Sequence, residues 1–374
     1  MKIALIVGYI RTGGFETFLL NILNTLKSSD IVLDIYYFEL PNNIKKEYSK
    51  HNYIKLSNFT KLDKLISILK PKVIIQLIRE RRLSNKFYCV YLSQLAKRTD
   101  YIYKEYAKVI SLSEQLNLYL NSNFQNANKR ICWIHPNYSL AKFDKSIDSK
   151  YLQNFDEIYS VSYDGAETLK KEFPELTKKI DYIENILNLE HIKNLSNVTI
   201  HNPFRNNSLK LLTVCRMAND SKRVDRLLEI AKSLEEENFN YNWVFIGDGP
   251  DLSSYKMYVK KHNLTKVFFL GSKGNPYPYF KMADLFILLS EYEGNPYVLK
   301  EARALSLPYL ITDFDVNLIN SKLNCFGVSR NGDVIQEALN FIKQFKPCVN
   351  HNKLNQINDI KKLLKVFSVE ENLC

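Results

Sequence analysis

Residues 2–9 form an apolar run that ends in glycine and tyrosine, and the loop IRTGG follows at 10–14. An amphipathic stretch at 15–26 comes next, with Phe18, Leu19, Ile22, Leu23 and Leu26 at helical spacing. The run at 31–38, IVLDIYYF, is β-branched and aromatic and reads as a strand. The two patterns then alternate, with strands at 72–77, 107–112, 130–135, 157–162 and 180–184 and helices near 83–97 and 166–173. Residues 185–208 lose the apolar period and gain Asn, His and Pro, which marks a boundary. Beyond it come strands at 210–215, 243–246, 267–270, 285–289 and 309–312, and helices at 224–236, 252–262, 278–282 and 297–305. One more helix is predicted at 357–366.

Alternation of this kind predicts an α/β protein with parallel sheets covered by helices on both faces. A chain of 374 residues is long for one core, so two doubly wound domains are expected, at 1–190 and 209–345. A linker at 191–208 would join them, and a helical tail at 346–374 would pack back on the first domain. Two such domains would face a central cleft at the carboxyl ends of their strands, where open α/β sheets bind ligands.

Composition narrows the function classes. The apolar start is too short for a signal peptide, and no later stretch reaches about 18 apolar residues, so no membrane span is expected. The six cysteines are scattered and form no C-x-x-C pair, which argues against a zinc site or disulfide framework. The net charge is +12, and residues 1–195 hold 29 Lys and Arg against 21 Asp and Glu. That balance suits an anionic partner or a merely solvated basic surface, and the charge is too diffuse to suggest a nucleic-acid stripe.

Two stretches carry candidate chemistry. In SEYEGNPYVLKEARALSL, at 290–307, Asn295 is a plausible helix N-cap and Pro296 a natural first helical residue. A helix beginning there would offer backbone N–H groups and its positive dipole end to a pyrophosphate. Glu301, in the second turn, leans toward the same mouth and suits a vicinal diol. Glu293 lies in the loop itself. Read alone, the pair is equally a solvated loop acid and an early helical acid. In LLTVCRMANDSKRVDR, at 211–226, Arg216 ends a strand and Lys222 and Arg223 precede a helix, as cations clamping a diphosphate would.

Taken in order, VCRMANDSKRVDRLLEI, FIGDGP, FFLGSKGNPYPYFKMADLFILLS and EGNPYVLKEARALSLPYLITD resemble glycosyltransferase family 4, retaining enzymes of the GT-B fold with two Rossmann-like domains. Glu293-x7-Glu301 has the spacing of that family's E-x7-E signature. The resemblance implies that Arg216 and Lys222 hold the diphosphate and Glu301 the ribose. Glu293 and the backbone of Gly294, Asn295, Pro296 and Tyr297 would hold the donor sugar, and the loop at 271–276 would border the base. Gly13 and Gly14, with Glu16, match the glycine-rich first loop, and His135 in ICWIHPN matches the family's active-site histidine. Cys215, Arg223, Asn295 and Pro296 depart from the usual pattern, in which glycine or an aromatic stands at these places.

The resemblance thus implies an enzyme whose catalytic residues are Glu293, His135, Arg216 and Lys222, with no metal or other cofactor. Asp313-x-Asp315 suits a turn better than a metal site. The expected partners are a nucleotide-sugar donor, a UDP-sugar, and a glycan or lipid-linked acceptor of bacterial capsule, O-antigen or exopolysaccharide type. The basic helix near 83–97, with Arg79, Arg81, Arg82, Lys86, Lys97 and Arg98 on or beside it, reads either as a domain helix with a solvated basic face or as a contact for an anionic membrane surface or a lipid-linked diphosphate. The expected location is cytoplasmic, peripheral at the inner face of the plasma membrane. A sugar-nucleotide epimerase, a basic nucleic-acid-binding protein and a non-catalytic partner subunit are the alternative readings.

Overall fold

A computed structural model describes residues 2–10, 14–57, 59, 85–205, 207–293, 295–313, 325–347 and 356–368. The chain divides into two units, Met1–Ile186 with Gln356–Cys374, and Leu187–Asn355.

The first unit is built on β1 (Ile3–Tyr9), β2 (Leu33–Glu39), β3 (Asn52–Lys55), β4 (Tyr106–Ser111), β5 (Ala127–Ile134), β6 (Glu157–Ser160) and β7 (Ile180–Tyr182). They form one sheet in the order β3-β2-β1-β4-β5-β6-β7, and every pairing is parallel. Parallel strands need long crossovers, and the helices of those crossovers cover both faces. That is why β1 is a continuous apolar run, buried at six of its seven positions. The tail helix Ile357–Phe367 belongs to this unit and buries Leu363, Val366 and Phe367. Lys108 Nζ caps its last turn through Val366 O at 2.9 Å and Ser368 O at 2.5 Å. Glu184 N donates to Asp359 Oδ1 at 3.1 Å.

The second unit repeats the plan. Its strands are β8 (Leu209–Val214), β9 (Tyr241–Ile246), β10 (Val267–Phe269), β11 (Leu285–Leu288), β12 (Tyr309–Thr312) and β13 (Cys325–Val328), all parallel. Their order is β10-β9-β8-β11-β12-β13. Both sheets therefore reverse direction beside their first strand, between β1 and β4 and between β8 and β11, the order of doubly wound nucleotide-binding sheets. The core is Trp243, Leu212, Phe245, Ile287 and Leu310, all fully buried. Two of its buried polar groups pair with each other and with the backbone: Trp243 Nε1 donates to Thr213 Oγ1 at 3.1 Å, and Thr213 Oγ1 donates to Ile287 O at 2.9 Å.

Several expectations meet a different chain. The segment 191–208 begins inside helix Leu189–Ser196, which Asn188 caps by accepting His191 N at 3.0 Å and which clusters with the second unit. Strands β3 and β13 were not expected; each is four residues long and carries little apolar signal. The strand at 72–77 lies outside the described residues, as do Arg79, Arg81 and Arg82. The helix expected at 83–97 spans Asn85–Ala96. Among the described residues no helix is long and apolar enough to cross a membrane.

The loops at the carboxyl ends of β8 and β9 are knitted together by backbone bonds, Cys215 N to Ile246 O at 3.1 Å and Met217 N to Asp248 O at 3.0 Å. Such close approach needs Gly247, whose φ is +138° and where a Cβ would sit 1.9 Å from Cys215 O. Gly247→Ala is expected to lower stability by roughly 2–4 kcal/mol, read as a lower urea midpoint. A midpoint equal to that of the wild type would contradict this packing.

Candidate functional site

The loops that follow β8 and β11 meet at the switch point of the second sheet. Lys222 Nζ pairs with Glu293 Oε1, and the side chains are only 21% and 11% exposed. The same Oε1 accepts Ser290 Oγ at 2.7 Å. Burial acts to depress the Lys222 ammonium, but the adjoining Glu293 carboxylate outweighs it and holds the pKa above its ordinary value. Lys222 is therefore charged across the physiological range. Glu291 N donates to Ser221 O at 2.8 Å, a second link between the two loops.

The neighbouring cations serve different ends. Arg223 sits at φ +48°, ψ +47°, just before helix Val224–Glu236. This left-handed conformation costs a side-chain-bearing residue roughly 1–2 kcal/mol, a strain that glycine would not carry. Its guanidinium turns to Asp225 at 2.9 Å and Glu291 at 3.1 Å. Arg226 Nη2 reaches the same Glu291 carboxylate at 2.6 Å, while its Nη1 donates to Leu289 O at 3.1 Å. Arg216 differs: its side chain is 63% exposed, and its nearest carboxylate, Asp220, is 3.7 Å away. A charge so loosely tethered can turn to an anion.

Helix Tyr297–Ala304 follows β11. Pro296, with φ −70° and ψ 123°, occupies the cap position and Tyr297 is the first helical residue, so the expected cap at Asn295 falls one residue outside. Proline fits because the cap position needs no N–H. Leu299 N donates to Pro296 O at 3.1 Å and closes the first turn. Asn295 and Tyr297 are buried, and Gly294 lies outside the described residues. Glu301 is 6% exposed, and its Oε1 accepts Tyr277 OH at 3.1 Å from helix Tyr277–Met282. Burial raises its pKa to about 7, opposed in part by the Tyr277 hydrogen bond. The sequence shows a surface-type acid in an early turn, whereas the fold makes it a buried one.

His135 and Gly14 belong to the first unit. His135 follows β5, with its Nε2 2.7 Å from Leu112 O. A carbonyl can only accept, so the neutral ring carries its proton on Nε2. Phe18 meets the ring edge-on at 4.6 Å, and burial lowers the imidazole pKa against the opposing pull of Glu114. Glu114 Oε2 accepts His135 N at 3.1 Å. No motif marks Glu114; only its place after β4 brings it to the histidine. Gly14 is the exposed first residue of helix Gly14–Thr25, and Gly13 lies outside the described residues.

Asp313 Oδ1 accepts Arg330 N at 2.8 Å and Arg330 Nε at 3.3 Å, and Asp315 lies outside the described residues. Among the described residues no three His, Cys, Asp or Glu side chains gather as metal ligands. Lys222 and Glu293 are thus in direct contact, and Arg216 and Glu301 stand in the same unit.

Residues 199–318 match the family described as glycosyl transferases group 1. An uncharacterized glycosyltransferase of Methanocaldococcus jannaschii is 27% identical over 207 residues, covering 52% of this chain and 51% of that relative. The chain therefore spans about half the length of that curated relative. The solved structure of the lipopolysaccharide outer core galactosyltransferase WaaB is similar with a TM-score of 0.61 at 19% identity, over 91% of this chain and 89% of that one. HepE of Anabaena, in complex with UDP-glucose, gives a TM-score of 0.64 at 14% identity, over 92% and 89%. At these identities the likeness shows the fold, which is two Rossmann-like doubly wound domains of the GT-B class.

Proposed function

We propose that the chain is a glycosyltransferase that moves a sugar from a UDP-sugar to a hydroxyl of a glycan or lipid-linked glycan, with retention at the anomeric carbon and without a metal ion. The observation that carries this reading is the cluster at the carboxyl ends of β8 and β11. There a charged, paired Lys222 and an exposed Arg216 accompany Glu293, and Glu301 is buried one turn into the helix that follows. The match at 199–318 and the UDP-glucose bound to HepE support a nucleotide-sugar donor. WaaB, a lipopolysaccharide galactosyltransferase, supports an acceptor of the bacterial surface-polysaccharide type. A lipid-linked acceptor would place the protein peripherally at the inner face of the plasma membrane.

In the reaction the bond from the anomeric carbon to the diphosphate oxygen breaks, and a bond to the acceptor oxygen forms. The acceptor proton passes to the departing diphosphate. Negative charge grows on that diphosphate, and Arg216 and Lys222 stabilise it most in the transition state. Glu301 accepts the ribose hydroxyls, Glu293 a donor-sugar hydroxyl, and the backbone of Gly294, Asn295, Pro296 and Tyr297 lies beside the sugar.

These roles separate in kinetics. Arg216→Ala is expected to lower kcat by about 100-fold or more, because it removes charge stabilisation at the leaving group. Glu301→Ala is expected to raise donor KM about tenfold with a smaller change in kcat. Release of UDP from the preferred donor, measured at varied donor concentration, checks both. Wild-type turnover by Arg216→Ala would refute the diphosphate clamp.

Glu301 also sets a pH dependence. Its folded pKa, about 7, lies above the ordinary 4.5. Its contribution to the stability of the unliganded protein is therefore complete below about 4.5 and is lost as the pH rises through about 7. The ionised form accepts the diol, so UDP affinity should rise between about pH 6 and pH 8 and then level off. Calorimetry should show that Glu301→Gln removes this rise while keeping the part due to the phosphate's own titration. Identical profiles for the two proteins would contradict the assignment.

A further inference from the structure

We infer that Ser290 and Tyr277 are positioning residues, each anchoring one carboxylate oxygen of the glutamate pair so that the other oxygen faces the donor. The inference rests on the donor reading above. Ser290 Oγ and Lys222 Nζ both bond Glu293 Oε1, and Tyr277 OH bonds Glu301 Oε1. Among the described residues no hydrogen bond reaches Oε2 of either glutamate. Each carboxylate is thus fixed at one end and keeps one oxygen, with two lone pairs, for a ligand hydroxyl.

The anchors are themselves fixed. Ser290 is fully buried, and its carbonyl accepts Thr312 Oγ1 at 2.5 Å, which ties it to β12. Tyr277 N donates to Asn275 Oδ1 at 3.2 Å, and Asn275 Nδ2 donates to Leu195 O at 3.0 Å. Burial, with Glu301 adjacent, pushes the Tyr277 phenol far above its ordinary pKa, so it stays protonated and donates. A carboxylate held in one rotamer loses less freedom when a hydroxyl binds it, which is the usual benefit of a supporting shell. Ser290 serves the sugar end of the donor through Glu293, and Tyr277 serves the ribose end through Glu301. Neither residue needs to touch the ligand to have this effect.

Among the described residues, the other ionisable groups on the helices packed here, tyrosines aside, are Lys300 and Arg303 on the helix of Glu301, Lys281 on helix Tyr277–Met282, and Glu190, His191 and Lys193 on helix Leu189–Ser196. Among the described residues none of these hydrogen-bonds the Glu301 carboxyl, whereas Tyr277 does. Since that bond favours the ionised form, removing it moves Glu301 further toward neutrality.

Calorimetric titration with UDP, and with whichever of UDP-glucose, UDP-galactose and UDP-N-acetylglucosamine binds the wild type most tightly, tests the inference. Tyr277→Phe is expected to weaken UDP about five- to tenfold and to move the inflection of the pH profile upward. In a Glu301→Gln background Tyr277→Phe should have no further effect, because the two act as one unit. Ser290→Ala should leave UDP affinity unchanged and weaken the UDP-sugar about fivefold, an effect absent in a Glu293→Gln background. Ser290→Cys, close in volume and a weak donor, takes its place if Ser290→Ala does not fold. Additive effects in both cycles, or wild-type affinities in both single variants, would overturn the inference while leaving the donor site standing. Failure of the wild type to bind UDP or any of these sugars would sink the donor reading and the inference together.

Discussion

Lys222 and Glu293 carry opposite charges into a largely buried place, and that pairing joins the loop after β8 to the loop after β11. A buried ion pair is a poor source of net stability, since desolvation offsets most of the attraction; losing one partner is the costly event, at roughly 3–5 kcal/mol. The pair is better understood as an orienting device. It fixes an ammonium with further N–H donors and a carboxylate with a further oxygen at the one place where the sheet's crossovers part. The surroundings reinforce it. Ser290 shares the carboxylate, Glu291 N reaches Ser221 O, and Arg223 and Arg226 grip the Glu291 side chain two residues before Glu293.

The lysine-rich character of the first half takes on a different meaning in the fold. Lys50 Nζ bonds Leu26 O at 2.6 Å and Ser29 O at 2.8 Å, closing the end of helix Gly14–Thr25. Lys179 bonds Gln153 O and Phe155 O after helix Lys145–Leu152, and Lys108 closes the tail helix. Lys104 pairs with the buried Asp34, and Lys129 with Glu157. Ammonium groups at carbonyl-rich helix ends satisfy acceptors and oppose the negative end of the dipole. A share of the positive charge therefore serves the chain itself, which weakens composition as a guide to partners.

Much of the fold was legible because both sheets are parallel and buried on both faces. Runs such as IALIVGY and YNWVFI announce themselves, and so do the helices that follow them. What escaped includes short or polar elements, NYIK in β3, CFGV in β13 and the helices KSIDSKYL and LEHIKNLS, but also the longer amphipathic helix Val334–Gln344. In the site, Lys222 and Glu293 were both named from sequence, but their contact was not, because 70 residues of intervening fold bring them together. Glu301 was visible as an acid and invisible as a buried one. Ser290, Tyr277 and Glu114 belong to no spacing rule, and their roles rest on distances that only the folded chain provides.

Every proposed role depends on a nucleotide binding at the carboxyl ends of β8 and β11. Hydrogen exchange of the full chain, with and without saturating UDP, tests it most directly. UDP is expected to slow exchange in peptides spanning 215–223 and 289–304 and to leave the amino-terminal ends of β8 to β12 unchanged. Protection absent from both stretches, or confined to Met1–Ile186, would contradict it.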